Sequence, residues 1–226
     1  MRTTEKRLRD SFAQIKDNLS HAGLLYDWNE TVCEKAPIGR RITWATTSTR
    51  PDLSDASNSN IDEYLTFLIG RHYHYLLSDG SMIQMSYDLD TRNEVKQSRL
   101  VWYPCPVIFL PEELEYSSIE ELVRTSPLEQ IGCRSPLRFD YAPHQADNNH
   151  STTHLHLGME DFRFPVQRPL EPSRFARLII RSAYPRIWST LDCFKTAEDW
   201  NSADGLDEED QIYGSISWLR PVVGPA

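Results

Sequence analysis

The chain has 226 residues, of which 39% are hydrophobic and 25% charged, with a formal net charge of −9. That length suits one domain with decorations or two small ones, and the negative balance speaks against a broadly basic surface that grips nucleic acid over its whole extent. No stretch approaches the roughly 18 consecutive apolar residues of a spanning helix. The charged N-terminus, MRTTEKRLRDSF, has no apolar run behind it to make a secretory signal, so no membrane partner and a cytoplasmic location are expected.

Leu8, Phe12, Ile15 and Leu19 recur at helical spacing, and Gly23 suits the cap that ends such a helix. The polar stretch from Thr49 to Asn60, with PDLSDASNSN inside it, reads as loop. Asn60 is a fair N-cap for a short helix bearing Ile61, Tyr64, Leu65 and Leu68, with Asp62 and Glu63 in its first turn and Gly70 closing it. HYHYLL and MIQMSYDLD are strand-like runs joined by Asp79-Gly80, a strong two-residue hairpin signal because both positions tolerate positive φ.

A third strand is expected over Arg99 to Tyr103, ended by Pro104 and Pro106. Ser117 with Glu120, or Ser118 with Glu121, offers a capping box for a short helix through Val123. Leu137 to Tyr141 and His154 to Gly158 read as two more strands, followed by another over Phe162 to Val166. Pro172 suits the first turn of a helix from about Ser173 to Tyr184, which Pro185 ends or kinks, and Ile212 to Leu219 reads as a closing strand. The sum is an α+β fold, a mostly antiparallel β-sheet with N-terminal and C-terminal helices packed on it. It is expected as one domain over 1–226, with 1–60 a peripheral helix and loops and 61–219 the core sheet and helices.

The chemistry gathers in SPLRFDYAPHQADNNHSTTHLHLG, residues 135–158. Alternate side chains of a strand point the same way, so Leu137, Phe139 and Tyr141 share one face while Arg138 and Asp140 share the other. His154 and His156 likewise sit opposite Leu155 and Leu157. If the two strands pair, one side builds core and the other collects a guanidinium, a carboxylate and two imidazoles. His154, His156 and Asp140 would then suit a divalent metal ion. Without metal, a histidine could take the proton of a ribose 2′-hydroxyl while Arg138 stabilises charge on the phosphate. Equally, the four residues could pair among themselves on a sheet face that does no chemistry. His144 and His150 lie on the connecting loop, His144 as an auxiliary catalytic candidate.

Three further features are open to two readings. His72 and His74 form a second alternating pair, expected to lie on an ordinary half-buried strand. Arg174, Arg177 and Arg181 fall on one face of the 173–184 helix, a candidate phosphate-binding surface beside the histidines or a face neutralised by the seven acids between Glu198 and Asp210. The four cysteines, Cys33, Cys105, Cys133 and Cys193, form no CxxC pair, which speaks against a disulfide framework or zinc ribbon. Cys105 and Cys133 are expected as small buried hydrophobes. Neither a GxGxxG nor a GxxxxGK[ST] pattern is present.

The runs Pro136 to Tyr141, His154 to Gly158, Arg163 to Val166 and Pro172 to Tyr184 together resemble the C-terminal half of the prokaryotic domain-of-unknown-function family 2290. Its members tend to carry Pro-Phe/Leu-Arg-Phe-Asp-Tyr, His-Leu-x-Leu-Gly, Arg-x-Pro-Val and a Pro-x-x-Phe helix in that order. Phe164 stands where a smaller aliphatic residue is usual. That resemblance implies no activity. A shorter run, Arg138-Phe139-Asp140-Tyr141-Ala142-Pro143-His144 followed by His154 and His156, is similar to the Arg-Tyr-Asp-Asn-Ala-Pro-His segment of TumE-type toxins, with Tyr141 replacing the Asn. It implies action on RNA. The expectation is an RNA-cleaving or nucleic-acid-processing effector of a prokaryotic toxin–antitoxin or antiviral defence system, with RNA and a cognate antitoxin or defence protein as partners. The alternatives are a non-enzymatic binding subunit of a defence complex and a His/Asp metal-dependent hydrolase of a small molecule.

Overall fold

The computed structural model describes residues 3–37, 39–46, 61–132, 135–146, 151–157, 163–166 and 169–195. Helix α1 (Thr4–His21) starts at Thr3, whose hydroxyl accepts from the Lys6 amide at 3.4 Å, and buries Leu8, Phe12, Ile15 and Leu19. Its end is the glycine-assisted one expected. Gly23 takes φ 67°, which brings the Leu24 amide to the Leu19 carbonyl at 3.0 Å. Helix α2 (Ile61–Ile69) carries Asp62 and Glu63 in its first turn and buries Tyr64, Leu65, Phe67 and Leu68. Helix α3 (Ile119–Thr125) is capped by the Ser118 hydroxyl, which accepts from the Glu121 amide at 3.1 Å. Helix α4 (Pro172–Ala183) buries Phe175, Ala176, Ile179 and Ile180, and Pro185 then opens a separate short helix, α5 (Pro185–Thr190).

The nine strands found among the described residues form one antiparallel sheet. They are β1 (Leu25–Trp28), β2 (Thr31–Ala36), β3 (Gly39–Trp44), β4 (Tyr75–Leu77), β5 (Met82–Leu89), β6 (Val95–Tyr103), β7 (Leu137–Tyr141), β8 (Thr153–Leu157) and β9 (Arg163–Pro165). Their order is β1-β4-β5-β6-β7-β8-β9, and the far half of β5 also pairs with β3, which carries β2 beyond it. The α+β architecture with an antiparallel sheet is the one the sequence implies. Residues 25–44 correct one part of that reading. Expected among peripheral loops, they supply three strands of the sheet. Neither β1 nor β2 has a fully buried residue, and in β1 the aromatic Tyr26 and Trp28 are the exposed ones, so no apolar set on one face marks these strands in sequence. The expected loop over 49–60, the acidic segment 198–210 and the closing strand over 212–219 lie outside the described residues.

Alternation splits the sheet into two layers. One face carries Ile83, Met85, Leu89, Leu100, Phe139 and Leu155, and packs against α1 and α4; Phe139 meets Phe175 edge-on with ring centroids 5.9 Å apart. The other face carries Met82, Val101 and Tyr103 and is covered there by α2 and α3. Burying each such side chain contributes on the order of 1.5–3 kcal/mol, so the two cores fix which way every strand turns.

The hairpin turn between β4 and β5 is held both by α2 and by the end of α4. Gly80 takes φ 79°, its carbonyl accepts from the Tyr64 hydroxyl at 2.6 Å, and the Asp79 carboxylate accepts from the Tyr184 hydroxyl at 2.9 Å. A Cβ on Gly80 would lie 2.8 Å from the Cys105 sulfur and 3.1 Å from the Tyr64 hydroxyl. Gly80→Ala is therefore expected to cost at least about 1 kcal/mol, read as a lowered midpoint in urea unfolding. An unchanged midpoint would mean that the turn is not held in this conformation.

Candidate functional site

The site begins with the register of three strands. Pairing of β6 with β7 sets Arg99 against Asp140 and Val101 against Arg138. Pairing of β7 with β8 sets Asp140 against His154 and Arg138 against His156, and β9 adds Arg163 opposite His156. Directly opposed residues of an antiparallel pair point to the same side. Two rows therefore cross one face of the sheet, Arg99–Asp140–His154 and Arg138–His156–Arg163. The other side of the same strands holds Phe139 and Leu155 in the core. The convergence expected from the sequence is present.

The contacts are direct. Asp140 sits between two guanidiniums, with Arg99 Nε 3.0 Å from Oδ1 and Arg138 Nε 3.1 Å from Oδ2. Arg138 Nη2 donates to His156 Nε2 at 2.9 Å. His156 Nε2 and His154 Nε2 stand 3.6 and 3.9 Å from Asp140 Oδ2, and the two imidazoles meet edge to face with centroids 4.7 Å apart. Arg138, Asp140, His154 and His156 are 9%, 6%, 1% and 4% exposed. Arg99 is the more open member, its side chain 21% exposed.

The partners fix both tautomers. Arginine only donates, so His156 Nε2 must be the acceptor, and the ring proton lies on Nδ1. A backbone carbonyl only accepts, so His154 Nδ1 carries a proton and donates to Ser151 O at 3.0 Å, which turns Nε2 toward Asp140. Burial pushes the His156 pKa down to about 3, helped by the adjacent Arg138 charge and opposed in part by Asp140. That ring is neutral at physiological pH. It orients Arg138 and has no proton to give from Nε2.

The other expected site residues are dispersed. His144 is exposed in the short turn Pro143–Gln145 that follows β7, outside the hydrogen-bonded cluster. His150 lies outside the described residues. Arg174, Arg177 and Arg181 belong to α4, which packs through Phe175 and Ile179 on the opposite face of the sheet from the histidines. A phosphate groove shared by that helix and the imidazoles is thereby corrected: the sheet stands between them. Arg181 instead lies over the Trp188 ring at 5.7 Å. His72 and His74 precede β4 and are buried, not half-open. His74 stacks on Phe12 at 4.6 Å and meets Trp44 edge-on, and His72 meets Phe67 edge-on. Cys105 is buried as expected, and Cys133 is outside the described residues.

Sequence reasoning missed Arg99 and gave Arg163 no role in the site. Both sit at strand positions of the correct parity, but nothing local says that β6 and β9 flank β7 and β8.

Comparison with known families places most of the chain. A family described as Uncharacterized conserved protein (DUF2290) matches residues 24–217. The chain belongs to this family. The match starts just before β1, so it takes in β1–β3 as well as the C-terminal motifs that carry the resemblance in sequence. No curated protein and no solved structure matches the chain; the likeness to TumE-type toxins is not among these findings. Among the described residues, no helix is long and apolar enough to cross a membrane.

The lowered His156 pKa makes a linkage prediction. Above about pH 6.5, the ordinary value, the ring is neutral in both folded and unfolded chains. Below that, the unfolded chain takes up a proton that the folded chain refuses until about pH 3. Stability should therefore fall with pH across this window by up to about 1.4 kcal/mol per pH unit from this group alone. His156→Gln, which keeps an acceptor for Arg138, is expected to flatten that slope in urea unfolding measured from pH 7 to 4. Parallel slopes for the two proteins would show that His156 does not titrate in this way.

Proposed function

We propose that this protein is an RNA-cleaving effector of a prokaryotic toxin–antitoxin or antiviral defence system. One observation carries the reading: two guanidiniums, a carboxylate and two imidazoles with assigned tautomers share one small patch on a single sheet face. These are the groups that cleavage at a ribose 2′-hydroxyl requires. His154, with its Nε2 lone pair facing the patch, takes the 2′-hydroxyl proton. The oxygen then attacks phosphorus, the 5′-oxygen leaves, and His154 returns the proton to it, giving a cyclic phosphate and a free 5′-hydroxyl. Arg99 and Arg138 stabilise the charge gathering on the phosphate oxygens. His156 and Asp140 hold Arg138 in place. Substrate approaches from the Arg99 side, the most open edge of the cluster.

The burial of the four central residues favours a second reading, in which the cluster fixes strand pairing in a non-enzymatic subunit of a defence complex. RNA cleavage and association separate the two. With purified protein and single-stranded RNA, His154→Ala is expected to reduce cleavage at least about 100-fold, and the His154→Ala/His156→Ala double variant to abolish growth arrest in cells. A folded double variant that still cleaves would remove the histidines from the reaction. An inactive wild-type protein that co-elutes with a cognate antitoxin or defence protein, activity residing in that partner, would favour the second reading.

A further inference from the structure

The same cluster has an imbalance that a guanidinium resolves in one way and a metal ion would resolve in another. His154 Nε2 and His156 Nε2 both present lone pairs, and Asp140 Oδ2 is an acceptor as well. The two Nε2 atoms stand 3.9 and 3.6 Å from Asp140 Oδ2, and the three residues each bring one ligand atom within 4.8 Å of the others. Three electron-pair donors facing a common point repel unless a cation stands there. In this structure the cation is the Arg138 guanidinium, which touches His156 Nε2 at 2.9 Å and Asp140 Oδ2 at 3.1 Å.

We propose that Asp140, His154 and His156 form a binding site for one divalent transition-metal ion of the zinc type, and that Arg138 occupies the cation's place until the ion displaces it. Two imidazoles and a carboxylate are a common ligand set for such ions. For bonds of about 2.0–2.1 Å, tetrahedral ligands stand roughly 3.3 Å apart. The present separations of 3.6 and 3.9 Å from the carboxylate oxygen close to that value with small side-chain rotations. The outer partners also fit. His154 donates its remote ring nitrogen to a backbone carbonyl and Asp140 leans on Arg99, the kind of support that sets ligand direction in metal sites. Arg138 is long enough to leave the point without moving β7, and doing so frees both His156 Nε2 and Asp140 Oδ2 at once. The ion would take the His154 Nε2 lone pair and displace the Arg138 guanidinium that the proposed RNA cleavage uses, so the metal-bound form is the one that does not cleave. Binding is measured without RNA, and its failure is thereby distinguishable from failure of that reading.

The test is titration of the metal-stripped full-length protein with Zn2+ by calorimetry, and with Co2+ followed by its visible absorption. Wild-type protein is expected to bind one ion per chain. Arg138→Met, which keeps the length of the side chain and removes the competing charge, is expected to bind at least tenfold more tightly. His156→Ala and the isosteric Asp140→Asn are expected to weaken binding at least a hundredfold. Zn2+ should raise the melting temperature of the wild-type protein and leave that of Asp140→Asn unchanged, a readout that holds even if one variant folds poorly. Failure of both wild type and folded Arg138→Met to take up either ion would overturn the site, and so would binding that His156→Ala and Asp140→Asn leave intact.

Discussion

Asp140 is a carboxylate cut off from water, and such a group is tolerable only if positive charge and hydrogen-bond donors reach it. Arg99 comes from β6 and Arg138 from β7 itself, one to each oxygen. Loss of either arginine with no other cation in its place would leave the buried charge only partly compensated, and Arg138 is also tied to His156 on β8. The Arg99–Asp140 ion pair and the Arg138–His156 hydrogen bond therefore tie β6 and β8 in register to β7. The burial that makes the carboxylate costly also makes it specific, because a slip of one residue would turn Asp140 and Arg138 into the apolar face against Phe175.

The two faces of the sheet divide the labour. Toward α1 and α4 the strands offer Phe139, Leu155, Leu100 and their neighbours, a continuous apolar layer. Toward α2 and α3 the apolar cover holds β4, β5 and β6 through Met82, Val101 and Tyr103, and the polar rows begin at Arg99 and Arg138. A buried polar patch beside a packed core has a low effective dielectric, so each contact inside it is stronger than it would be in water. The same surroundings keep His156 neutral and leave its lone pair committed to Arg138.

Much of this was legible along the chain. The Leu8–Leu19 stripe, the Ser118 cap and the Pro172 start each follow from local rules and appear where those rules put them. The Asp79-Gly80 turn falls at its expected place but spans 78–81, with positive φ at Gly80 and not at Asp79. Arg138 with Asp140, and His154 with His156, were legible as same-face pairs because alternation belongs to any extended strand. β1–β3 were not legible, since β1 and β2 have no buried apolar face to mark them and β3 buries only its last three residues, Ile42 to Trp44. The histidines at 72 and 74 misled for a related reason: the chain there is not yet strand, and its side chains turn into aromatic packing with Phe12, Trp44 and Phe67.

Sequence alone thus determined which side chains travel together on each strand and helix, because those groupings are set by the geometry of the backbone within a few residues. Tertiary structure decided which groupings meet. Arg99 joined Asp140 through the pairing of strands some 40 positions apart in the chain, whereas the arginines of α4 were carried to the far face because their helix had an apolar stripe to bury there. An apolar stripe records that a helix must be covered but not which side of a sheet will cover it, and that choice is made only when the whole chain has closed around both cores.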